Sequence, residues 1–244
     1  ASLEQKLDII NSSYQSYGYR RITSTLKAIG TIISEKVVRR LMKSTGLCVM
    51  AVHKAHYSSY KGELSPEVPN LIQRNFHADR PSKKLLTDIT EFSISAGKVY
   101  LSGIIDCYDG AVASWNMGAS PDAKLANGTL ELAAKSLTGA FRPILHSDRG
   151  CHYRWPGWIA RTQTMGLQRS MSKKGCSPDN AACEGFFGRL KNECFYGRNF
   201  AGYTTVMLIS YIDTYIKWYN NKRIKKSLGY HSPVDYRRLH QYAA

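Results

Sequence analysis

No apolar run in this sequence is long enough to cross a bilayer, and no stretch has the make-up of a secretory signal. No membrane association is therefore expected. Cysteine is sparse: Cys48, Cys107, Cys151, Cys176, Cys183 and Cys194, none of them in a C-x-x-C pair. That excludes a disulfide-stapled scaffold and a dithiol redox motif. Cys176 and Cys183 lack a partner His or Cys at zinc-ligand spacing, so all six read as reduced thiols of a cytosolic protein. There is no Ser/His/Asp triad pattern and no internal repeat. Acid is the scarcest resource: 18 Asp and Glu stand against 34 Lys and Arg, a formal net charge of +16 over 244 residues. A chain this basic faces a polyanion in most settings, and nucleic acid is the leading candidate. A plain basic surface on a structural or interaction protein is the competing reading. With 43% hydrophobic residues, a sizeable core is within reach and general disorder is not expected.

Residues 1–48 read as a small helical module. Leu3, Leu7 and Ile10 recur at helical spacing, Tyr19 to Ile29 forms a second helical stretch, and Ser34 is placed to cap a third over Glu35 to Lys43. Short helices joined through Gly30 suit a helix-turn-helix-like unit that contacts DNA, with an ordinary helical cap as the alternative. Residues 49–84 read as a basic linker, broken by Ser58, Ser59, Gly62, Pro66, Pro69 and Pro81.

From residue 85 the pattern changes to strands. Leu85–Ser95 and Gly97–Tyr108 are strand candidates, and Asp109-Gly110 is a hairpin signal leading into Ala111–Met117. A helix over Asp122–Leu137 follows, then a strand over Pro143–Ser147, a helix over Pro156–Met165 and a strand over Leu167–Ser170. Ser177-Pro178-Asp179 has the chemistry of a helix start, with Ser as the cap, and that helix should run through Glu184 to Cys194. Residues 204–219 form an amphipathic helix, and a basic tail runs from Asn220, with Lys222, Arg223, Lys225 and Lys226 together. The order βββαβαβα predicts an α/β fold, a mixed five-stranded sheet flanked by helices, and it is the order expected of an RNase H-like fold. The expected domains are 1–48, the linker 49–84, a core over 85–200, and a C-terminal helix with basic tail over 201–244.

Three carboxylates stand out against this frame. Asp88 lies mid-strand in a segment that begins apolar, so it must be paired or hold a cation. Asp148 follows Ile144-Leu145 at the C-terminal end of a strand, where α/β proteins place ligands. Glu184 lies one to two turns into a helix, with thirty-five residues between it and Asp148. Converging carboxylates can hold two divalent ions roughly 3.5–4 Å apart for in-line displacement at phosphorus, and Mg2+ suits such oxygen ligands. Structural roles stay open here: a Lys partner for Asp88, a turn for Asp148, a solvated helix position for Glu184.

The segments Thr87-Asp88-Ile89-Thr90-Glu91-Phe92, His146-Ser147-Asp148-Arg149-Gly150, and Asp179-Asn180-Ala181 through Glu184-Gly185-Phe186-Phe187-Gly188-Arg189-Leu190-Lys191 resemble the DDE motifs of insertion-sequence-three (IS-three) family transposases, which share the retroviral-integrase-like core. The spacing matches that family's DD(35)E pattern. Tyr17-Gly18-Tyr19-Arg20-Arg21-Ile22 is similar to the helix-turn-helix segment before the core. Trp218-Tyr219-Asn220-Asn221, Ser227-Leu228-Gly229-Tyr230 and Ser232-Pro233 are similar to its C-terminal signature. Two positions depart: Leu86 stands where the family often has Trp, and Lys225 where it often has His.

The resemblance implies that Asp88, Asp148 and Glu184 are the catalytic, metal-holding triad, with two Mg2+ ions that Mn2+ can replace. It implies nicking at a transposon end and joining of the 3′-hydroxyl through a circular intermediate, in a bacterial cytoplasm beside the nucleoid. Lys191, Arg149, Asn180, Lys173 and Lys174 are expected on DNA near the site; Arg20, Arg21, Arg39 and Arg40 along the terminal repeat; and Arg223 in the basic tail. The expected partners are transposon-end and target DNA, a second copy of the chain at least, and an upstream OrfA-type protein or fused segment. A nuclease that cuts without joining and a non-catalytic DNA-binding protein are the alternatives.

Overall fold

The computed structural model describes residues 3–13, 16–47, 68–135, 137, 142–173 and 176–243. Most of the expected linker, and Lys174, lie outside them. Helices α1 (Leu3–Ser13), α2 (Tyr19–Ala28) and α3 (Glu35–Ser44) form the N-terminal module. They close over Leu7, Ile10, Tyr17, Ile22, Leu26, Val38 and Met42. Ser34 caps α3 as expected, its Oγ accepting from the Val37 N–H at 3.4 Å. Gly30 takes the chain between α2 and α3 at φ +80°, where a side chain would be strained.

The sheet contains β1 (Lys84–Ile94), β2 (Gly97–Asp106), β3 (Val112–Gly118), β4 (Ile144–Ser147) and β5 (Gln168–Met171), in the order β3-β2-β1-β4-β5. β1 pairs antiparallel with β2 and parallel with β4, which makes it the central strand. Its side chains alternate between two cores. Leu85 packs on one face with Leu145, with Ala126 and Leu130 of α4 (Ala123–Ala134) and with Trp158 of α5 (Pro156–Thr164). Leu86 and Phe92 pack on the other, against Phe187 and Leu190 of α6 (Ala181–Cys194) and Ile212 and Ile216 of α7 (Thr205–Asn221). Burial on both faces explains why β1 opens with consecutive apolar residues rather than alternation. The predicted order of elements is observed, with bounds within a few residues.

One expectation is corrected. Ser177 does not cap a helix: a short 3-10 turn spans Ser177–Asn180 and α6 starts at Ala181. The reason is Asp179, whose buried carboxylate takes Arg74 Nε at 2.8 Å, Asn70 Nδ2 at 2.9 Å and the Lys173 N–H at 3.0 Å. The basic tail carries a further short helix. Helix α8 (Pro233–Leu239) is capped by Ser232, and its Arg237 bonds the buried carboxylates of Asp106 and Asp109 at the β2–β3 turn.

The module is tied to the core. The Tyr17 hydroxyl accepts from the Ile224 N–H at 3.1 Å, its ring lies 6.3 Å from that of Trp218, and Arg21 stands 4.0 Å from Glu193 of α6.

Candidate active site

The parallel register pairs Leu86 with His146 and Thr87 with Ser147. Asp88 and Asp148 are therefore the next rung, past the last paired one, on strands that lie about 4.8 Å apart in such a ladder. Glu184 approaches from the first turn of α6. The three carboxylates feel one another. Burial, then the charge of Asp148, then that of Glu184 push the Asp88 carboxyl up to about 8, against the pull of the Ile89 N–H at 2.7 Å and of Asn180. Burial and the charge of Asp148 also raise Glu184, which remains exposed to solvent.

This donor set fits a divalent cation. It is hard, anionic, and short of the positive charge that would make ionised Asp88 comfortable. The carboxylates do not by themselves close into a cage, for among the described residues no three His, Cys, Asp or Glu side chains are grouped tightly enough to hold a metal.

Around them stand groups with distinct roles. Asn180 is buried and donates from Nδ2 to Asp88 Oδ2 at 3.2 Å. Lys191, two turns beyond Glu184 on α6, lies over the Phe92 ring at 5.4 Å. Burial lowers its ammonium, opposed by the charges of Glu91 and Asp88. His146 is buried, its Nδ1 2.8 Å from Ser170 Oγ and its Nε2 3.3 Å from Ser172 Oγ, so it ties β4 to the end of β5. Gly150 leaves room for its neighbours: a Cβ there would stand 2.9 Å from the His152 ring and 3.0 Å from Asp148 Oδ1. His152 Nε2 is buried without a hydrogen-bond partner beside these groups. Sequence reasoning passed over His152, whose one signal was its nearness in the chain to Asp148, and read Asp179 as a helix-start acid rather than as the anchor of the turn before α6.

The expected DNA contacts divide. Arg149 is half-buried beside Asp148, and Lys173 is exposed. Arg20, Arg39 and Arg40 are exposed on the module, with Arg20 3.7 Å from Glu35 and Arg39 over the Tyr19 ring. Arg21 turns toward Glu193 and the Tyr17 ring, half-buried at the junction. Arg223 is a correction. It is 1% exposed and grips Glu193 of α6 through two hydrogen bonds, one from Nε at 2.7 Å and one from a terminal nitrogen. A guanidinium so placed braces the interior and does not face solvent. Asn180 is likewise directed at Asp88 rather than outward.

Comparison with known proteins bears on the family and the fold. Residues 78–177 and 184–240 match two families described as integrase core domains, and residues 3–56 match an HTH-like domain family. A probable transposase for insertion sequence element IS1353 of Shigella flexneri is 56% identical over 94% of this chain, which spans 45% of that protein. InsK of Escherichia coli (strain K12), named as a transposase for insertion sequence element IS150, is 38% identical over 94% of this chain and 80% of its own length. An uncharacterized transposase-like protein of Haemophilus influenzae is 41% identical over 87% of this chain and 97% of its own length. Among solved structures, the catalytic core domain of HTLV-2 integrase in complex with magnesium superposes with a TM-score of 0.50 at 16% identity, over 62% of this chain and 93% of that one. A chain of the simian T-cell lymphotropic virus intasome does so with a TM-score of 0.53 at 14% identity, over 90% of this chain and 70% of that one. These two carry the likeness of fold.

Proposed function

We propose, from the premise that this chain belongs to the insertion-sequence transposases with an integrase core, that it cuts transposon-end DNA and joins the freed 3′-hydroxyl to a second phosphodiester. The observation that supports this reading is the register of β1 and β4, which sets Asp88 and Asp148 one position past their last pair, with Glu184 in the first turn of α6 and its charge felt at Asp88. Asp88, Asp148 and Glu184 would hold the divalent ions, two Mg2+ in this reading, which when bound would supply Lewis-acid chemistry to the attacking and leaving oxygens.

The chain's own residues do the rest. Asn180 orients Asp88. Lys191, between Glu91 and Asp88, offers its ammonium to a phosphate next to the scissile one. Arg149 and Lys173, with Lys174 beside it in sequence, extend positive charge along the strand. The exposed Arg20, Arg39 and Arg40 follow the terminal repeat through its phosphates. Water is the nucleophile of the first step and a DNA 3′-hydroxyl that of the second. Directed at the same strand near the other end, the second step leads to a circular intermediate. Holding two ends calls for at least two copies of the chain on DNA, and an upstream OrfA-type protein or fused segment adds to end binding. The setting is the bacterial cytoplasm; among the described residues no helix is long and apolar enough to cross a membrane.

The test is to incubate the chain with Mg2+ and labelled terminal-repeat oligonucleotides beside Glu184→Gln. Joined product from the native chain and none from the variant is the expected result. Cleavage without joining would point to a nuclease, and metal-independent binding with neither reaction would remove the catalytic reading.

A further inference from the structure

We propose that the side-chain amide of Asn180 supplies a fourth oxygen to the cation site of Asp88, Asp148 and Glu184. The inference rests on the cation-dependent reading given above and extends it to a neutral ligand.

The orientation of the amide follows from its partner. The NH2 end of Asn180 donates to Asp88 Oδ2 at 3.2 Å, the arrangement a cation-loaded site requires, since Asp88 is then ionised and can only accept. Oδ1 is the other corner of that same amide. The residue is 3% exposed, and Oδ1 is buried with no hydrogen-bond partner. A buried acceptor left empty is costly and uncommon in folded proteins. Here the amide that carries it is bonded to Asp88, an acid that lacks compensating charge, and a cation held there or its bound water would satisfy it.

The local chain is built to hold the amide in place. Asp179, the preceding residue, is anchored through three hydrogen bonds to Arg74, Asn70 and the Lys173 backbone. On the other side Asn180 occupies the cap position of α6. It precedes Glu184, which lies in the first turn of that helix, by four residues. The carboxylates alone do not make a closed cage among the described residues. An amide oxygen adds a hard donor without adding to their mutual repulsion, which suits Mg2+ or Mn2+.

The alternative is that Asn180 serves only as a hydrogen-bond donor to Asp88. The aspartate replacement separates the two, because it keeps an oxygen at the position and loses the donor. Mn2+ binding to the full chain would be measured by electron paramagnetic resonance of the free ion, for the native protein, Asn180→Ala, Asn180→Asp and Asp88→Asn. Cation-free melting temperatures would confirm that each variant folds. Asn180→Ala should bind Mn2+ about tenfold more weakly, and Asn180→Asp should match or exceed the native affinity. Native affinity in Asn180→Ala overturns the proposal, as does an Asn180→Asp variant as weak as Asn180→Ala. Unchanged binding in Asp88→Asn would instead bring down the cation-site reading itself, whatever Asn180 does.

Discussion

Replacing Arg223 with Met should cost the fold more than it costs DNA binding. Arg223 is 1% exposed, and the side chain of Glu193 is 9% exposed. The pair is joined by two hydrogen bonds, and the Tyr215 hydroxyl donates a third to Glu193 at 2.7 Å. Burial on its own would raise Glu193, but the bonds and charge of Arg223, with Tyr215 and Arg21, hold it below the usual carboxylate range. Removing one member of such a buried pair costs about 3–5 kcal/mol, because the other charge is left behind. Tyr215 and Arg21 remain to soften the loss, so about 3 kcal/mol is expected. In a chain of this length each kcal/mol moves Tm by about 2–4 °C, which puts the drop at about 6–12 °C. The sign with pH follows from the lowered carboxyl. Its contribution is complete at neutral pH and fades as pH falls through the folded value, so the gap between native and variant should narrow in acid. Differential scanning calorimetry reads the stability, and a salt series of terminal-repeat binding reads the DNA. An unchanged Tm together with a salt slope lowered by about one charge would place Arg223 on a phosphate and refute the burial argument.

The exposed Arg20 should behave in the opposite way: Arg20→Ala keeps Tm and lowers the salt slope of end binding by about one, and an affinity unchanged at every salt concentration would sink that assignment. Gly150→Ala crowds Asp148 and His152, so metal-dependent cleavage should fall at least tenfold while far-UV circular dichroism stays native; full activity would mean that both side chains move aside freely. Because burial and Asp148 hold Asp88 at about 8 when folded, its contribution to the cation-free fold is complete below the ordinary carboxylate range and is lost as pH rises through about 8. A cation must displace that proton, so the Tm gain from Mg2+ should be larger at pH 9 than at pH 6, and an equal gain at both would count against the coupled site.

Much of this molecule could be read from residues alone, and the exceptions share a cause. The strands of the sheet and the helices of the module announce themselves by short-range pattern and turn chemistry, as in Asp109-Gly110 and the Ser34 cap. Asp88 and Asp148 were legible because each is a carboxylate in an apolar strand context. What escaped depends on partners far away in the chain. Arg223 looks like one more charge in a basic run, until α7 brings it to Glu193, thirty residues back. Asp179 reads as a helix-start acid, yet it is claimed by Arg74, 105 residues away. Asn180 resembled a DNA contact because nothing local reveals that Asp88 lies within reach.

The ladder between β1 and β4 also sets what this architecture tolerates over evolutionary time. Asp88 and Asp148 meet because the two strands pair in register, while the chain between them leaves the ladder through β2, β3 and α4 and returns. Insertions in that excursion, as at the turn before α4, can accumulate without changing the separation of the two acids. A single-residue insertion within β1 or β4 would carry its carboxylate to the opposite side of the sheet. Divergent descendants should therefore vary in the length of the excursion and hold the strands themselves to a fixed count.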